Sequence, residues 1–302
     1  MSSATILNLI SLDCNIPVPN VYAERGFYSD IFENLLKSAV KTMNKSHGGS
    51  IPADLDVRVT RYDGMGGDLP STRQLEGVQG IVLTGSAFSA YDDVPWIHNL
   101  IAFVLEIYYD FPYIKIFGSC FGHQLVAHAI FSTPYSSVIY HDPTGWELGV
   151  QPITLTPPFL SHYGPVTSNP SFPSHSRLQL IHVDHVLIPS SLMRKKGFKS
   201  IGRSERCAVQ GIWKDGRVLT FQGHAEFDRF VIGETARFVG MDELSMESVM
   251  RDDDALWWAA GVILRFFLEV KKTSSRVEMD ARVRKDSLYR SKEKIRRDLI
   301  QV

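Results

Sequence analysis

Cys120 stands between Gly118 and Gly122, after an apolar run at 113–117 and before an amphipathic run at 123–131. This order predicts a strand, a tight turn carrying a thiol, and a helix. Such a turn strains the backbone of its central residue, and only small neighbours leave room for it. A helix N-terminus favours the thiolate over the thiol. The backbone N–H of Phe121, the next residue, can face a developing oxyanion. Together these features describe a cysteine nucleophile.

A cysteine nucleophile needs a base within hydrogen-bond reach and a third group that orients the base. About a hundred residues downstream, an apolar run at 218–221 leads into Gln222-Gly223-His224-Ala225-Glu226. On extended chain, an i, i+2 pair places both side chains on one face. His224 is therefore the candidate base and Glu226 the candidate orienting acid. Taken alone, the pair also describes a strand-end histidine and a solvated acid. The cysteine turn upstream favours the catalytic reading.

These residues carry a family resemblance. The chain resembles the class I glutamine amidotransferases, a Cys-His-Glu group that also includes γ-glutamyl hydrolases and peptidases. The family pattern G-x-C-x-G-x-Q is matched by Gly118, Cys120, Gly122 and Gln124, and Q-x-H-P-E is matched at Gln222, His224 and Glu226, with Ala225 in place of proline. The resemblance extends over roughly residues 4–270. It implies Cys120, His224 and Glu226 as the catalytic residues. It also implies an oxyanion site made by the N–H of Phe121 and by the strand end at Gly85 and Ser86. Gln124, Trp146 and Asp184 match places where family members seat the donor.

The run from Gly85 to Asp93 departs from the G-G-P-x-S of glutaminase domains and is similar to stand-alone members of the family. By itself, Gly85-Ser86 is an ordinary strand-ending turn. The His182-Val183-Asp184-His185 run could supply half of a metal site or a buried polar strand end. No second His or Cys cluster lies near it in the sequence, so no metal is expected. No nucleotide or redox cofactor is needed for the chemistry, and no Walker-type phosphate loop occurs.

Strands that could position these groups are expected at 5–10, 56–62, 80–83, 113–117, 138–141, 149–155, 179–182, 208–213 and 218–222. Helices are expected at 28–43, 96–110, 122–131, 226–239 and 253–268. The alternation implies an α/β fold, a mostly parallel central sheet with helices on both faces in a flavodoxin-like three-layer sandwich. Cys120 would then lie at the C-terminal edge of a central strand, where open α/β sheets place their crevices. The Pro/Ser-rich stretch at 157–176 reads as an exposed loop bordering the donor pocket.

The 302 residues are 44% hydrophobic and 22% charged, enough for one sizeable core. The domain is expected at 1–270, followed by a charged tail at 271–302 with eleven Lys+Arg against five Asp+Glu. That tail suits either a solvated extension or a targeting and docking segment. The formal net charge of −1 implies no nucleic-acid or membrane partner. Three scattered cysteines exclude a disulfide framework and suit a reducing cytoplasm, with the basic tail raising the nucleus as a second compartment. No secretory or membrane segment is read.

The resemblance implies cleavage of the γ-amide of glutamine through a cysteine thioester, supplying ammonia for amidation by a synthetase or biosynthetic partner. A γ-glutamyl peptidase acting on glutathione-like conjugates and a non-catalytic binding descendant of the fold are the alternatives.

Overall fold

The computed structural model describes residues 5–46, 51–133, 135–164 and 174–269, so the expected tail lies outside the described residues. The strands are β1 (Ile6–Asp13), β2 (Asp56–Asp63), β3 (Gly80–Leu83), β4 (Lys115–Ser119), β5 (Ile139–His141), β6 (Glu147–Leu155), β7 (His175–His182), β8 (Asp184–Val186), β9 (Lys199–Ser200), β10 (Gly202–Arg203), β11 (Ile212–Lys214) and β12 (Val218–Phe221). The helices are α1 (Pro19–Arg25), α2 (Tyr28–Ser46), α3 (Pro95–Asp110), α4 (Phe121–Phe131), α5 (Pro157–Tyr163), α6 (Ser190–Lys195), α7 (Arg229–Phe238), α8 (Glu243–Val249) and α9 (Ala260–Leu268).

Seven strands form the main sheet in the order β2-β1-β3-β4-β12-β11-β9. The first five are parallel, whereas β11 and β9 add antiparallel at one edge. Alternation sorts the strand side chains between two cores. Leu7, Leu9 and Phe117 pack under α2 and α9, and Ile10, Leu12 and Ile116 pack under α3 and α4. Helices therefore cover both faces, as the alternating sequence pattern implies.

Two buried cations close helix ends. Lys115 Nζ donates to the carbonyls of Phe266, Phe267 and Glu269 at 2.6–2.8 Å, capping α9. Arg217 donates to the carbonyls of Ile107, Tyr108, Phe111 and Ile114 around the end of α3. Helix C-termini leave carbonyls without intrahelical donors, and a cation there satisfies both the bonds and the dipole.

Several expectations are corrected. The segments at 138–141, 149–155 and 179–182 leave the main sheet. β6 and β7 pair antiparallel in a three-stranded sheet with β10, and β5 pairs with β8. Of the expected strand at 208–213, only its end is extended in the sheet, as β11. Residues 157–163 are helical, not an exposed loop. Phe159 and Tyr163 of α5 are only 1% exposed, because they pack on Trp213 in the core. The helix expected from 226 begins at Arg229, where the Asp228 carboxylate caps it by accepting from Val231 N at 2.8 Å. Residues 255–259 make a π turn before α9. Among the described residues, no helix is long and apolar enough to cross a membrane.

Candidate active site

Cys120 links the end of β4 to the start of α4. Its φ of 50° is the one positive value among the described non-glycine residues, a conformation that costs about 1–3 kcal/mol. The surrounding backbone is too close for larger neighbours. A Cβ on Gly118 would lie 2.5 Å from Gly122 O, and one on Gly122 would lie 2.3 Å from Leu83 O. β12 pins the turn from the side, since Cys120 N donates to Phe221 O at 2.8 Å. The other two cysteines differ. Cys14 and Cys207 are fully buried, and burial pushes both thiols up, away from thiolate chemistry.

His224 follows β12, and its backbone N donates to Gln179 O on β7 at 2.8 Å. The ring stacks on Phe227 with centroids 3.9 Å apart. Its Nδ1 lies 2.8 Å from Glu226 Oε1, so Nδ1 carries the proton that the carboxylate accepts. Glu226 is held in turn by Ser119, whose hydroxyl lies 2.9 and 3.1 Å from the two carboxylate oxygens. Burial opposes the imidazolium form of His224. The charges of Glu226 and Cys120 outweigh it and hold the imidazole above its ordinary pKa.

The His224 ring and the cysteine converge over Gly85. A Cβ on Gly85 would sit 3.1 Å from His224 Cε1 and 3.8 Å from Cys120 Cβ. Phe121 opens α4, so its N–H has no intrahelical partner. Ser86 lies just past β3, and its hydroxyl accepts from Phe88 N at 3.2 Å.

The donor-side residues are placed differently from one another. Gln124 is buried, and its Nε2 donates to Asp184 O at 3.0 Å and to Gln222 Oε1 at 3.2 Å. Gln222 in turn reaches Cys120 Sγ at 3.5 Å through its own Nε2. Gln124 thus ties the β8 wall to the turn with the amide the sequence reading assigned to the donor. The Asp184 carboxylate is ringed by Ser89 Oγ at 2.5 Å, Tyr91 at 3.1 Å and His141 Nδ1 at 3.3 Å. Trp146 is half exposed, and its carbonyl accepts from Arg206. Ser119 escaped the sequence reading, which held Ser89 and Tyr91 only as part of the run from Gly85 to Asp93. Ser119 adjoins Cys120, and that adjacency was the available signal.

His182 and His185 do have a further ligand-type neighbour, because β6 brings Glu147 against them. Strand pairing supplies a carboxylate that the sequence separates from them by more than thirty residues.

No protein-family model matches the chain. A glutamine amidotransferase-like protein of Schizosaccharomyces pombe is 30% identical over 237 residues, covering 78% of this chain and 86% of the relative. The γ-glutamyl peptidase 2 of Arabidopsis thaliana is 28% identical over 168 residues, covering 56% of this chain and 61% of the relative. In three dimensions, a glutamine amidotransferase from Methylobacillus flagellatus superposes with a TM-score of 0.58 at 21% identity, over 90% of this chain and 98% of that one. The chain belongs to the glutamine amidotransferase-like family, and its sheet is the flavodoxin-like sheet of class I glutamine amidotransferases.

Proposed function

We propose that this protein cleaves the γ-amide of glutamine through a thioester on Cys120, releasing ammonia for a synthetase or biosynthetic partner. One observation carries the reading. A buried His224–Glu226 pair, 2.8 Å apart, meets a strained cysteine at a helix N-terminus, over a glycine that leaves the approach open.

Each group then has a task. The Cys120 thiolate attacks the γ-carbonyl carbon, and the carbonyl electron pair moves onto oxygen. The N–H of Phe121 and the Gly85–Ser86 turn receive that oxyanion, each good donor contributing about 3–4 kcal/mol to the transition state. His224 Nε2 takes the Cys120 thiol proton and gives it to the leaving amine as the oxyanion collapses and the C–N bond breaks. It then removes one from the water that opens the thioester, freeing glutamate and the Cys120 sulfur. Glu226 keeps the other proton on Nδ1 and stabilises the imidazolium, and Ser119 keeps Glu226 in place. Asp184, with Trp146 at the rim, faces the donor's α-substituents, while Gln124 holds the wall that presents Asp184.

A second reading, hydrolysis of γ-glutamyl peptides, is favoured by the relatives named γ-glutamyl peptidases. It is also favoured by the Gly85-Ser86 turn in place of the glutaminase sequence.

Glutamate release by the purified protein, from glutamine and from a γ-glutamyl dipeptide, tests both. Release from glutamine that vanishes in Cys120→Ala supports the first reading. Cysteine-dependent release from the dipeptide alone transfers the assignment to the second. Cysteine-independent release, or none from either substrate, rejects both.

A further inference from the structure

Glu147 on β6, His182 on β7 and His185 on β8 bring one ligand-type atom each to within 4.8 Å of one another. All three side chains are buried, at 4%, 3% and 1% exposure. None of them belongs to the Cys120–His224–Glu226 group. Three strands of two different small sheets converge there, and the convergence needs a cause.

Hydrogen bonding alone does not provide one. His182 Nδ1 lies 3.1 Å from the carbonyl oxygen of Asp184, which can only accept, so Nδ1 carries the ring proton. In the neutral ring, Nε2 is then a bare lone pair. It lies 3.1 Å from Glu147 Oε2 without making a hydrogen bond to it. His185 Nε2 is likewise buried without a hydrogen bond. Its Nδ1 is 3.3 Å from the Tyr140 hydroxyl. Two buried imidazole nitrogens without hydrogen bonds and a carboxylate oxygen, all within 4.8 Å of one another, form a donor set for a cation.

We propose that Glu147, His182 and His185 form a structural site for a divalent transition metal, Zn²⁺ being the best match. Two imidazoles and one carboxylate select zinc-like ions over calcium or magnesium, which take oxygen shells. Bonds of about 2.0–2.1 Å place tetrahedral ligand atoms about 3.3 Å apart, near the His182–Glu147 separation. An outer shell is already built. Asp184 O fixes the His182 tautomer, and Gln210 Nε2 donates to Glu147 Oε2 at 3.0 Å. Asp142 Oδ2 lies 3.8 Å from His185 Nε2 and is held in turn by Arg206 Nη2 at 2.8 Å, which closes the group on that side. The ion would bind β6, β7 and β8 together. Ile181 O on β7 lies 4.0 Å from Cys120 Sγ, so this would stiffen the wall beside the cysteine.

The test uses the full chain as the Cys120→Ser variant, which removes the competing thiolate. The protein is stripped with chelator and titrated with Zn²⁺ and, separately, with Co²⁺. The expected result is one equivalent bound, a rise in thermal midpoint, and a Co²⁺ visible spectrum of nitrogen and oxygen ligation without thiolate charge transfer. Glu147→Gln, which keeps the carboxylate's shape, and His185→Gln should each weaken binding by at least tenfold while the far-ultraviolet circular dichroism is retained. Absence of binding by Cys120→Ser would overturn the site. So would a thiolate signature in its spectrum, or equal affinity in folded Glu147→Gln and His185→Gln proteins. Should neither glutamine variant fold, the Co²⁺ spectrum and stoichiometry of the Cys120→Ser protein decide alone.

Discussion

Ser119 donates its hydroxyl to Glu226, 2.9 and 3.1 Å from the carboxylate oxygens. The residue directly before the cysteine thereby positions the acid that positions the histidine. Register explains this, because Ser119 at the end of β4 lies opposite Phe221 at the end of β12. Both ends of the candidate machinery are thus locked to one pair of neighbouring strands. Ser119→Ala should lower kcat about tenfold, the size of one lost hydrogen bond to a charged group, with KM little changed. Steady-state glutamate release measures the split.

Glu226→Gln tests the partner of that bond. The amide leaves the shape but removes the charge that favours the imidazolium and the tautomer of His224. A kcat loss on the order of 10⁴-fold is expected, as for amide replacement of a triad acid. Alkylation of Cys120 by iodoacetamide should slow in parallel, and an unchanged alkylation rate would detach Glu226 from the thiol.

Gly85→Ala places a methyl group 3.1 Å from His224 Cε1. The ring must shift by a few tenths of an ångström, and the approach to Cys120 narrows. A fall of about 10²-fold in kcat/KM is expected, the cost of a small misplacement at a reacting centre. The thermal midpoint should hardly move. A variant of full activity would remove Gly85 from the site.

The sequence made much of this legible, and the limits are physical. The cysteine turn could be read because its glycines are required by backbone closeness, and Gly118 and Gly122 meet main-chain atoms with no room for a Cβ. The parallel sheet could be read because its central strands, buried on both faces, are continuous apolar runs. The segment at 157–163 was misread because Pro157 and Pro158 resemble loop punctuation, yet proline suits the first turn of a helix. The neighbours of Asp184 and the company of His182 stayed hidden. Ser89, Tyr91 and Glu147 reach them through pairings between strands and loops that no local spacing encodes.

His123 gives a pH test. It is fully buried on α4, with Nδ1 2.8 Å from Thr220 Oγ1, and burial pushes its pKa down to about 3. An unfolded histidine titrates near 6.5. Between those values the unfolded chain holds a proton that the folded chain refuses, so stability from this group falls as the pH is lowered. The slope is about 1.4 kcal/mol per pH unit for one proton. His123→Asn, which can keep the bond to Thr220, should flatten the acid side of a plot of unfolding free energy against pH by that amount. Parallel plots for the two proteins would contradict the assignment.

Arg217→Met should destabilise without touching the chemistry. Arg217 is 7% exposed, and its guanidinium satisfies carbonyls at the end of α3. Its loss strands buried acceptors, at about 1–3 kcal/mol each for those left dry. A lowered denaturant midpoint with unchanged kcat per folded molecule is expected.

The backbone N–H of Cys120 is held by Phe221 O, and His224 and Glu226 follow that residue directly. β12, which ends at Phe221, slots between β4 and β11. During synthesis, then, the thiol emerges about a hundred residues before the strand that completes its surroundings. A chain halted before Phe221 carries Cys120 without His224, Glu226 or the carbonyl that holds its N–H. Completing the surroundings of Cys120 is the last event in building the centre of this sheet.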